Sequence, residues 1–297
     1  MHSSPAPVVV IGDALIDELR FPDGNREFVG GAALNVAVGL ALLRVPTTLV
    51  AMVGDDEAGD RIRRFLADAG VGLIASPAPH GSSRAVSDRT DGEPTYVFNE
   101  AAQKRRVEFD AEVREAIAAA PFVVVSCFPF DDAGQARQLA ASVTGSRRRL
   151  IVDPNPREGM LHSRERFIAG FESVAPSCLL VKVGDDDAEL LYGTGLPELV
   201  ERLDGLGVEH VLATAGKDGA WLRSDGQSVS RPIAEMLGPV IDTMGAGDAV
   251  LAAAVQHLAA HGEPGSIDGW GAVLERAMLV AAATCRSEGA LLREPTV

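Results

Sequence analysis

The chain has 297 residues, of which 46% are hydrophobic and 23% charged, and its formal net charge is −15 at pH 7. This composition is typical of a globular protein with a sizeable core. The acidic balance argues against a nucleic-acid partner, because a phosphate backbone is bound by Lys and Arg. No segment reaches the about 18 apolar residues of a membrane span, and residues 8–11 are too short a run for a signal peptide. We therefore expect a cytoplasmic protein without membrane contact.

The first part of the chain alternates short apolar runs with Ala- and Leu-rich segments. Residues 8–11 and 47–53 predict buried strands, since they are continuous apolar runs bounded by polar residues. Residues 31–43 and 59–69 predict helices, the second ended by a glycine. Residues 1–7 are polar and contain two prolines, so we expect a flexible tail there.

Two polar segments, residues 14–30 and 82–108, interrupt this alternation. The first contains Pro22-Asp23-Gly24-Asn25, which is typical of a turn, and the second predicts two strands around a hairpin turn at Asp91-Gly92. We expect the two segments to form a small β-sheet lid. Because a two-stranded ribbon is only marginally stable alone, we expect the lid to pair with that of a second copy in a homodimer.

The remainder of the chain returns to strand–helix alternation. The predicted strands are residues 122–126, 150–152, 179–183 and 211–214, followed by a second hairpin (220–223 and 228–233) and closing helices at 247–260 and 267–287. Such alternation predicts a mainly parallel sheet with helices on both faces, a three-layer α/β fold. No shift in composition marks a second domain, so we expect one domain over residues 1–297.

Polar clusters follow the predicted strands at their carboxyl ends. They are Asp13 and Asp17, Asp153-Pro154-Asn155-Pro156-Arg157, Asp185-Asp186-Asp187, and Thr214-Ala215-Gly216-Lys217-Asp218-Gly219. Open parallel sheets bind ligands beyond the carboxyl ends of their strands. The common edge therefore predicts one site.

The segment Gly245-Ala246-Gly247-Asp248, which we call the cradle, precedes an apolar helix. Glycines let backbone N–H groups approach a ligand closely, and the first N–H groups of a helix are unpaired and carry partial positive charge. This combination binds anions, above all phosphate. Asp248 in such a place suits a group that holds a nucleophilic hydroxyl; the alternative is a helix-capping carboxylate. We expect the helix end to lower the pKa of Asp248.

Four motifs, taken in order, resemble those of the ribokinase-like (PfkB-type) carbohydrate kinases. Gly30-Gly31-Ala32-Ala33-Leu34-Asn35-Val36-Ala37 resembles the family pattern G-G-x-x-x-N-x-A, and Asp153 to Arg157 resembles D-x-N-x-R. Thr214 to Gly219 resembles T-x-G-x-x-G, and Asp242-Thr243-Met244-Gly245-Ala246-Gly247-Asp248 resembles D-T-x-G-A-G-D. The resemblance covers residues 8–293. It implies the ribokinase-like fold and transfer of the γ-phosphate of ATP to a sugar hydroxyl, with Mg²⁺.

The resemblance also implies roles for single residues. Asp248 would accept or orient the hydroxyl proton, and the N–H groups of Ala246, Gly247 and Asp248, after the turn at Gly245, would hold the moving phosphoryl group. The implied substrate-binding residues are Asp17, Gly31, Asn35, Asn155 and Arg157, and the implied nucleotide-binding residues are Lys182, Thr214, Gly216, Gly219 and Thr243. Asp242 and the Met244 carbonyl resemble a loop that binds a monovalent cation, which implies K⁺.

Several of these residues also have a purely structural interpretation. Asn35 could be an ordinary helix-surface amide, Asp17 a solvated charge and Arg157 a member of a surface salt bridge. Thr214 to Gly219 could be a turn that only leads into the next hairpin. One motif departs from the family pattern, because Gly184-Asp185-Asp186-Asp187 stands where many relatives have N-x-x-E. Asp187 could act on Mg²⁺ through water, with Glu189 as a substitute, or the three aspartates could simply favour a helix start.

The motifs resemble the fructokinase branch most, which implies conversion of D-fructose to fructose 6-phosphate. Ribokinase, 2-keto-3-deoxygluconate kinase and nucleoside kinase activities stay open, as does a catalytically impaired sugar-sensing protein. A sugar-phosphate substrate would need basic residues near the sugar, for which Arg84, Arg89 and Lys104-Arg105-Arg106 are available. A dinucleotide-binding oxidoreductase is excluded, because Val250 stands where its fingerprint needs a third glycine.

Overall fold

The computed structural model describes residues 4–21, 24–88, 95–143 and 150–295. The strands are β1 (Val8–Gly12), β2 (Leu15–Phe21), β3 (Gly24–Gly30), β4 (Thr47–Met52), β5 (Gly72–Ser76), β6 (Ser83–Asp88), β7 (Thr95–Phe98), β8 (Phe122–Ser126), β9 (Leu150–Asp153), β10 (Leu180–Gly184), β11 (His210–Thr214), β12 (Ala220–Ser224) and β13 (Gln227–Arg231). The α-helices are α1 (Ala32–Leu42), α2 (Glu57–Asp68), α3 (Glu100–Gln103), α4 (Ala111–Ala119), α5 (Ala133–Ser142), α6 (Arg164–Val174), α7 (Asp185–Asp187), α8 (Leu196–Gly205), α9 (Ala246–His261) and α10 (Ile267–Thr284).

A nine-stranded sheet forms the centre of the molecule, in the order β13-β12-β11-β10-β9-β8-β1-β4-β5. Strands from β11 to β5 run parallel to their neighbours, and the β12–β13 hairpin adds two antiparallel strands at one edge. The strand order reverses direction beside β1, where open α/β sheets form their ligand crevice. The predicted, mainly parallel sheet is therefore confirmed.

Successive residues of β1 point to opposite faces of the sheet and enter two different cores. Val8 and Val10 pack in the core formed with α1, α2, α9 and α10. Val9 and Ile11 pack in the core formed with α4, α5, α6 and α8. Both faces of the sheet are therefore covered by helices, as the predicted three-layer architecture requires.

A second, four-stranded sheet forms the lid, in the order β3-β2-β6-β7. Strand β2 pairs antiparallel with β3 and parallel with β6, and β6 pairs antiparallel with β7. This confirms a small β-sheet lid from the two polar segments. The turn residues Pro22-Asp23 and Asp91-Gly92 lie outside the described residues. The sheet ends at Phe98, because the next residues form α3 instead of extending it to residue 108.

Among the differences from the sequence-based expectations are one missed strand and two shifted element ends. Strand β5 was not predicted, because its five residues mix glycine and serine with three apolar residues. Strand β13 ends at Arg231, before the predicted end at residue 233, since Pro232 has no N–H to donate to a strand. The last helix ends at Thr284. Residues 232–245 have no regular structure, and Leu237 within them is 96% exposed.

Two features concern the outside of the molecule. The backbone N–H of Ala6 donates to the carbonyl of Ala259 at 2.9 Å, so the predicted tail is attached to α9 at this point. Among the described residues, every helix is too short or too polar to cross a lipid bilayer.

Candidate active site

The amino end of α1 lies directly after the lid and against the end of β1. Gly31 adopts a φ of 110°, and a Cβ there would lie 3.0 Å from the Asp13 carbonyl oxygen, so this position favours glycine. The Asp13 carboxylate accepts the Ala33 N–H at 2.9 Å and so caps a helix that has no side-chain cap of its own. A Cβ on Gly30 would lie 2.2 Å from Asp17 Oδ2, which places the Asp17 carboxylate against the same backbone.

Helices α1 and α9 meet through a side-chain hydrogen bond. Asn35 Nδ2 donates to Asp248 Oδ2 at 2.9 Å, although the two residues are 213 positions apart in the sequence. Asn35 is 5% exposed and Asp248 7% exposed. The Asn35 Oδ1 atom is buried and has no hydrogen-bond partner among the described residues. Asn35 is therefore no solvated surface amide, and its free acceptor suits a substrate hydroxyl.

The cradle is a left-handed turn that opens α9. Gly245 has a φ of 74°, and a Cβ there would lie 2.0 Å from the Ala290 carbonyl oxygen, so only glycine fits. The Ala246 N–H donates to the Thr243 carbonyl at 3.3 Å. The Gly247 and Asp248 N–H groups donate to no acceptor in the described part of the chain. Two of the three N–H groups predicted to hold an anion are therefore available.

The expectation that the helix end lowers the pKa of Asp248 is wrong. Burial, together with the Asp153 carboxylate, raises the pKa of Asp248 to about 6 against the lowering effect of the hydrogen bond from Asn35. Loss of hydration in this buried place outweighs the partial charge at the end of α9. Burial and the charge of Asp13 likewise raise the pKa of Asp17 to about 7, so Asp17 is no ordinary solvated charge.

Lys182 projects from β10 toward the cradle and is 7% exposed. A Cβ on Gly247 would lie 3.0 Å from Lys182 Nζ, so the ammonium group abuts the cradle. Lys182 Nζ lies 3.1 Å from Asp153 Oδ2. Burial alone would lower the pKa of Lys182, but the Asp153, Asp187 and Asp248 carboxylates raise it. The site therefore holds a positive charge beside the predicted phosphoryl position.

The departure from N-x-x-E gives a local structure of its own. Asp187 Oδ2 accepts the Gly184 N–H at 2.7 Å, so the carboxylate closes the first turn of α7. Asp187 is nevertheless 6% exposed, and burial raises its pKa against the charge of Lys182. Glu189, the substitute weighed from the sequence, is exposed. Asp187 therefore caps the start of α7, and its carboxylate also faces the charged site.

Arg157 lies at the mouth of the site with an exposed side chain. Its guanidinium group forms no hydrogen bond or ion pair with the described residues, so the surface salt bridge weighed from the sequence is not found among them. Partial desolvation lowers the pKa of Arg157, but nearby negative charge, including that of Asp248 and Asp13, raises it. Asn155 precedes it, buried and with a φ of 40°, a conformation that asparagine tolerates better than most residues.

Two of the basic residues that a sugar phosphate would need already have partners in the protein. Arg84 Nη1 forms an ion pair with Glu27 Oε1 at 2.9 Å. The buried Arg105 donates to the carbonyls of Cys127 and Met160. Arg89 lies outside the described residues.

The T-x-G-x-x-G segment forms a compact turn between β11 and β12. Thr214 Oγ1 donates to the Val183 carbonyl at 3.3 Å, and Gly216 adopts a φ of 46° in an open position. A Cβ on Gly219 would lie 2.2 Å from the Arg231 carbonyl oxygen. The turn reading is therefore sufficient to explain Gly219, and the nucleotide role of the three residues stays a prediction.

Asp242 organises the loop before the cradle. Its Oδ1 accepts the Met244 N–H at 3.0 Å, and its Oδ2 accepts the Gly289 N–H at 3.3 Å. The Asp242 N–H donates to the Cys285 carbonyl at 3.2 Å. Thr243, by contrast, has an exposed side chain and contributes its carbonyl to the Ala246 N–H.

Ser126 was missed by the sequence analysis, and Asp13 and Asp153 belonged to the predicted polar clusters without a role of their own. The three residues end or follow β8, β1 and β9, and they are 0%, 7% and 0% exposed. Ser126 Oγ and Asp153 Oδ1 have no hydrogen-bond partner in the described ranges. Their position at strand ends was the available signal, and Asp153 begins a motif of which only the later residues were selected.

The sequence of the chain matches a family profile almost from end to end. Residues 6–297 match the pfkB family carbohydrate kinase profile. The chain is 27% identical over 304 residues to a fructokinase of Salmonella typhimurium, which covers 98% of this chain and 96% of that protein. It is 25% identical over 258 residues to an ATP-dependent 6-phosphofructokinase of Thermoanaerobacterium thermosaccharolyticum, which covers 82% of this chain and 78% of that protein.

The fold is also similar to those of solved structures. One is a fructokinase double mutant of Vibrio cholerae O395 in a form that binds fructose, ADP and a potassium ion. Its TM-score is 0.80 at 21% identity, over 98% of this chain and 96% of that chain. The ribokinase-like three-layer fold with a lid is thereby confirmed.

Proposed function

The chain belongs to the pfkB family of carbohydrate kinases, and on this premise we propose that it converts D-fructose to fructose 6-phosphate with ATP. The observation that carries the proposal is the hydrogen bond between Asn35 and Asp248 beside the cradle. The Asn35 amide has a free acceptor oxygen that suits a sugar hydroxyl, and it is bonded to the Asp248 carboxylate, which suits the reacting hydroxyl. The similarity to fructokinases of 27% identity supports the choice of sugar.

The proposed reaction follows from the charges around the cradle. The sugar hydroxyl oxygen bonds to the γ-phosphorus of ATP, the bond to the bridging oxygen of ADP breaks, and the hydroxyl proton passes to Asp248. The Gly247 and Asp248 N–H groups and Lys182 Nζ face the charge on the moving phosphoryl group. Because the pKa of Asp248 is about 6, its carboxylate is charged and able to accept at neutral pH.

Two cations complete the proposal. Mg²⁺ would neutralise phosphate charge, and the buried Asp187 carboxylate fits it through a water, since only Oδ2 is used by the Gly184 N–H. K⁺ fits the loop of Asp242 and the Met244 carbonyl, because each carboxylate oxygen can accept more than the one hydrogen bond it has. A fructokinase similar in fold is described with a bound potassium ion.

The test is an ADP-release screen with ATP and Mg²⁺ over ketoses, pentoses, nucleosides and keto-deoxy acids. D-Fructose is expected to give the highest kcat/KM, and the product is identified as the 6-phosphate by NMR. Preference for ribose or a nucleoside would reassign the enzyme within its family. Tight sugar binding by calorimetry with no ADP release would instead favour a sugar-sensing protein.

A second candidate, 2-keto-3-deoxygluconate, is favoured by one observation. Arg157 is an exposed residue whose guanidinium has no hydrogen-bond or ion-pair partner among the described residues, and a carboxylate is its natural complement. If the sugar is acidic, Arg157→Gln raises its KM by ~10-fold or more, as expected for loss of a charged hydrogen bond. The same change leaves the KM of a neutral ketose nearly unchanged, so the two candidates separate.

We further propose a cytoplasmic homodimer that forms through the lid. The compartment follows from the need for ATP. The dimer is supported by Val97, which is 64% exposed on β7 at the edge of the lid sheet, a surface that a second copy would cover. Light scattering at micromolar concentration is expected to give the dimer mass, and Val97→Lys is expected to give the monomer mass. A monomeric wild-type protein would overturn this assembly.

A further inference from the structure

Asp153 is a buried carboxylate whose side chain has one polar partner among the described residues, the Lys182 ammonium group. It ends β9 beside Ser126 of β8, is 0% exposed, and its Oδ1 atom accepts no hydrogen bond from the described residues. A charge taken out of water is costly unless it is paired and hydrogen-bonded. Such a residue would not stabilise the fold by itself, so its role depends on the groups around it.

The surroundings supply one cation, Lys182. Its Nζ lies 3.1 Å from Asp153 Oδ2 and, on the other side, abuts Gly247 in the cradle. Asp187 from α7 and Asp248 from α9 also face the ammonium group and raise its pKa, and Asp153 is the strongest of the three.

We propose that Asp153 is a positioning residue for phosphoryl transfer, which holds the Lys182 ammonium group charged and against the cradle. The proposal rests on the function proposed above, since it assigns the phosphoryl group to that place. Asp153 itself touches neither substrate; it acts through Lys182. The buried pair thus places a positive charge beside the cradle, where it faces the charge of the moving phosphoryl group.

The test is a double-mutant cycle on kcat with Asp153→Asn, Lys182→Met and the double variant. Lys182→Met is expected to lower kcat by ~10²-fold or more, the scale for loss of one electrostatic donor. Asp153→Asn is expected to lower kcat by ~10-fold or more. Because Asp153 acts through Lys182, the double variant is expected to match Lys182→Met within about threefold. Multiplicative losses in the double variant would overturn the proposal.

The pH dependence separates positioning from mere structural support. Without Asp153, the lowering effect of burial on the Lys182 pKa is opposed only by Asp187 and Asp248. The alkaline limb of kcat is therefore expected to move to lower pH by about one unit or more. The matched control Asp132→Asn changes a carboxylate that only caps α5, and it should leave kcat and the limb unchanged. A limb that stays in place in Asp153→Asn would contradict the proposal.

Nucleotide binding provides a measurement that needs no sugar. Calorimetry with a non-hydrolysable ATP analogue is expected to show weaker binding to Asp153→Asn than to wild type, with the difference growing from pH 7 to pH 9. If the wild-type protein binds the analogue but phosphorylates no sugar, the proposed function is wrong. Calorimetry then still tests whether Asp153 positions Lys182 for nucleotide binding. Since the double variant removes both charges of the Asp153–Lys182 pair, it keeps the test open should Asp153→Asn fold poorly.

Discussion

The site has two sides that differ in how they are built. On the sugar side, Asn35 and Asp248 are buried and bonded to each other across two helices. On the proposed nucleotide side, Gly216 is open and Thr243 is exposed, while Thr214 Oγ1 donates to the Val183 carbonyl of β10 and Gly219 lies against Arg231 of the hairpin. The proposed sugar side therefore consists of buried side chains from two helices, and the proposed nucleotide side of a more open backbone turn.

This difference has a physical consequence. Groups that must polarise a hydroxyl and hold a phosphoryl charge work best where water is excluded, and there their pKa values are shifted. A nucleotide that enters from solvent can instead bind an open backbone surface. We therefore expect substitutions on the sugar side to change kcat and pH dependence, and those on the nucleotide side to have smaller effects.

The largest effect is expected from Asp248→Asn. The amide cannot accept the hydroxyl proton, so kcat should fall ~10³-fold or more, the scale for loss of a principal catalytic group. Steady-state kinetics on the preferred sugar measure the effect, with Asp132→Asn as the control for a carboxylate-to-amide change. A tenfold loss or less would assign Asp248 a minor role.

The next effect distinguishes the two glycine-bearing segments. Gly245→Ala places a Cβ 2.0 Å from the Ala290 carbonyl, so the cradle must shift, and kcat should fall ~10²-fold. Gly216→Ala meets no atom within 4 Å and suffers only the strain of its positive φ, about 1 kcal/mol. The KM for ATP should then change less than about threefold. Equal losses in both variants would erase the distinction between the sides.

A smaller effect is expected on the pH profile. The wild-type acidic limb should lie near pH 6, because activity is lost as Asp248 is protonated. The hydrogen bond from Asn35 lowers this pKa, so Asn35→Ala should move the limb to higher pH by ~0.5–1 unit. The activity deficit against wild type should shrink between pH 7 and pH 8.5. An unmoved limb would show that the bond does not control the proton.

The smallest effect is on stability, through Asp17. Its pKa rises from 3.8 in the unfolded chain to about 7, so its contribution is complete below pH 3.8 and lost as the pH rises through 7. Asp17→Asn removes this loss and should raise Tm at pH 8 by ~2–6 °C. Calorimetric melting near pH 3.8 should give little difference between the variants. A lower Tm at pH 8 would show that the charged carboxylate stabilises the fold.

The sequence-based predictions succeeded where the pattern is local. The apolar run at residues 8–11 and the turn glycines around Ala246 required only period and residue type, and both elements lie where expected. They failed for β5, a short edge strand of mixed residues, and for the pKa of Asp248, which depends on what surrounds it. Site roles assigned through the family resemblance stay predictions until the variants are measured.

The sequence by itself determined most strands and helices from their hydrophobic period, and the turn that opens α9 from its glycines. It also indicated the family through the resemblance of four short motifs, because each of these signals lies along one stretch of chain. Only the tertiary structure decided that Asn35 lies against Asp248 and that Lys182 lies between Asp153 and Gly247. These residues come from different elements, and their charges depend on burial. Their pKa values depend on the loss of hydration in the folded protein, which a local sequence pattern does not specify.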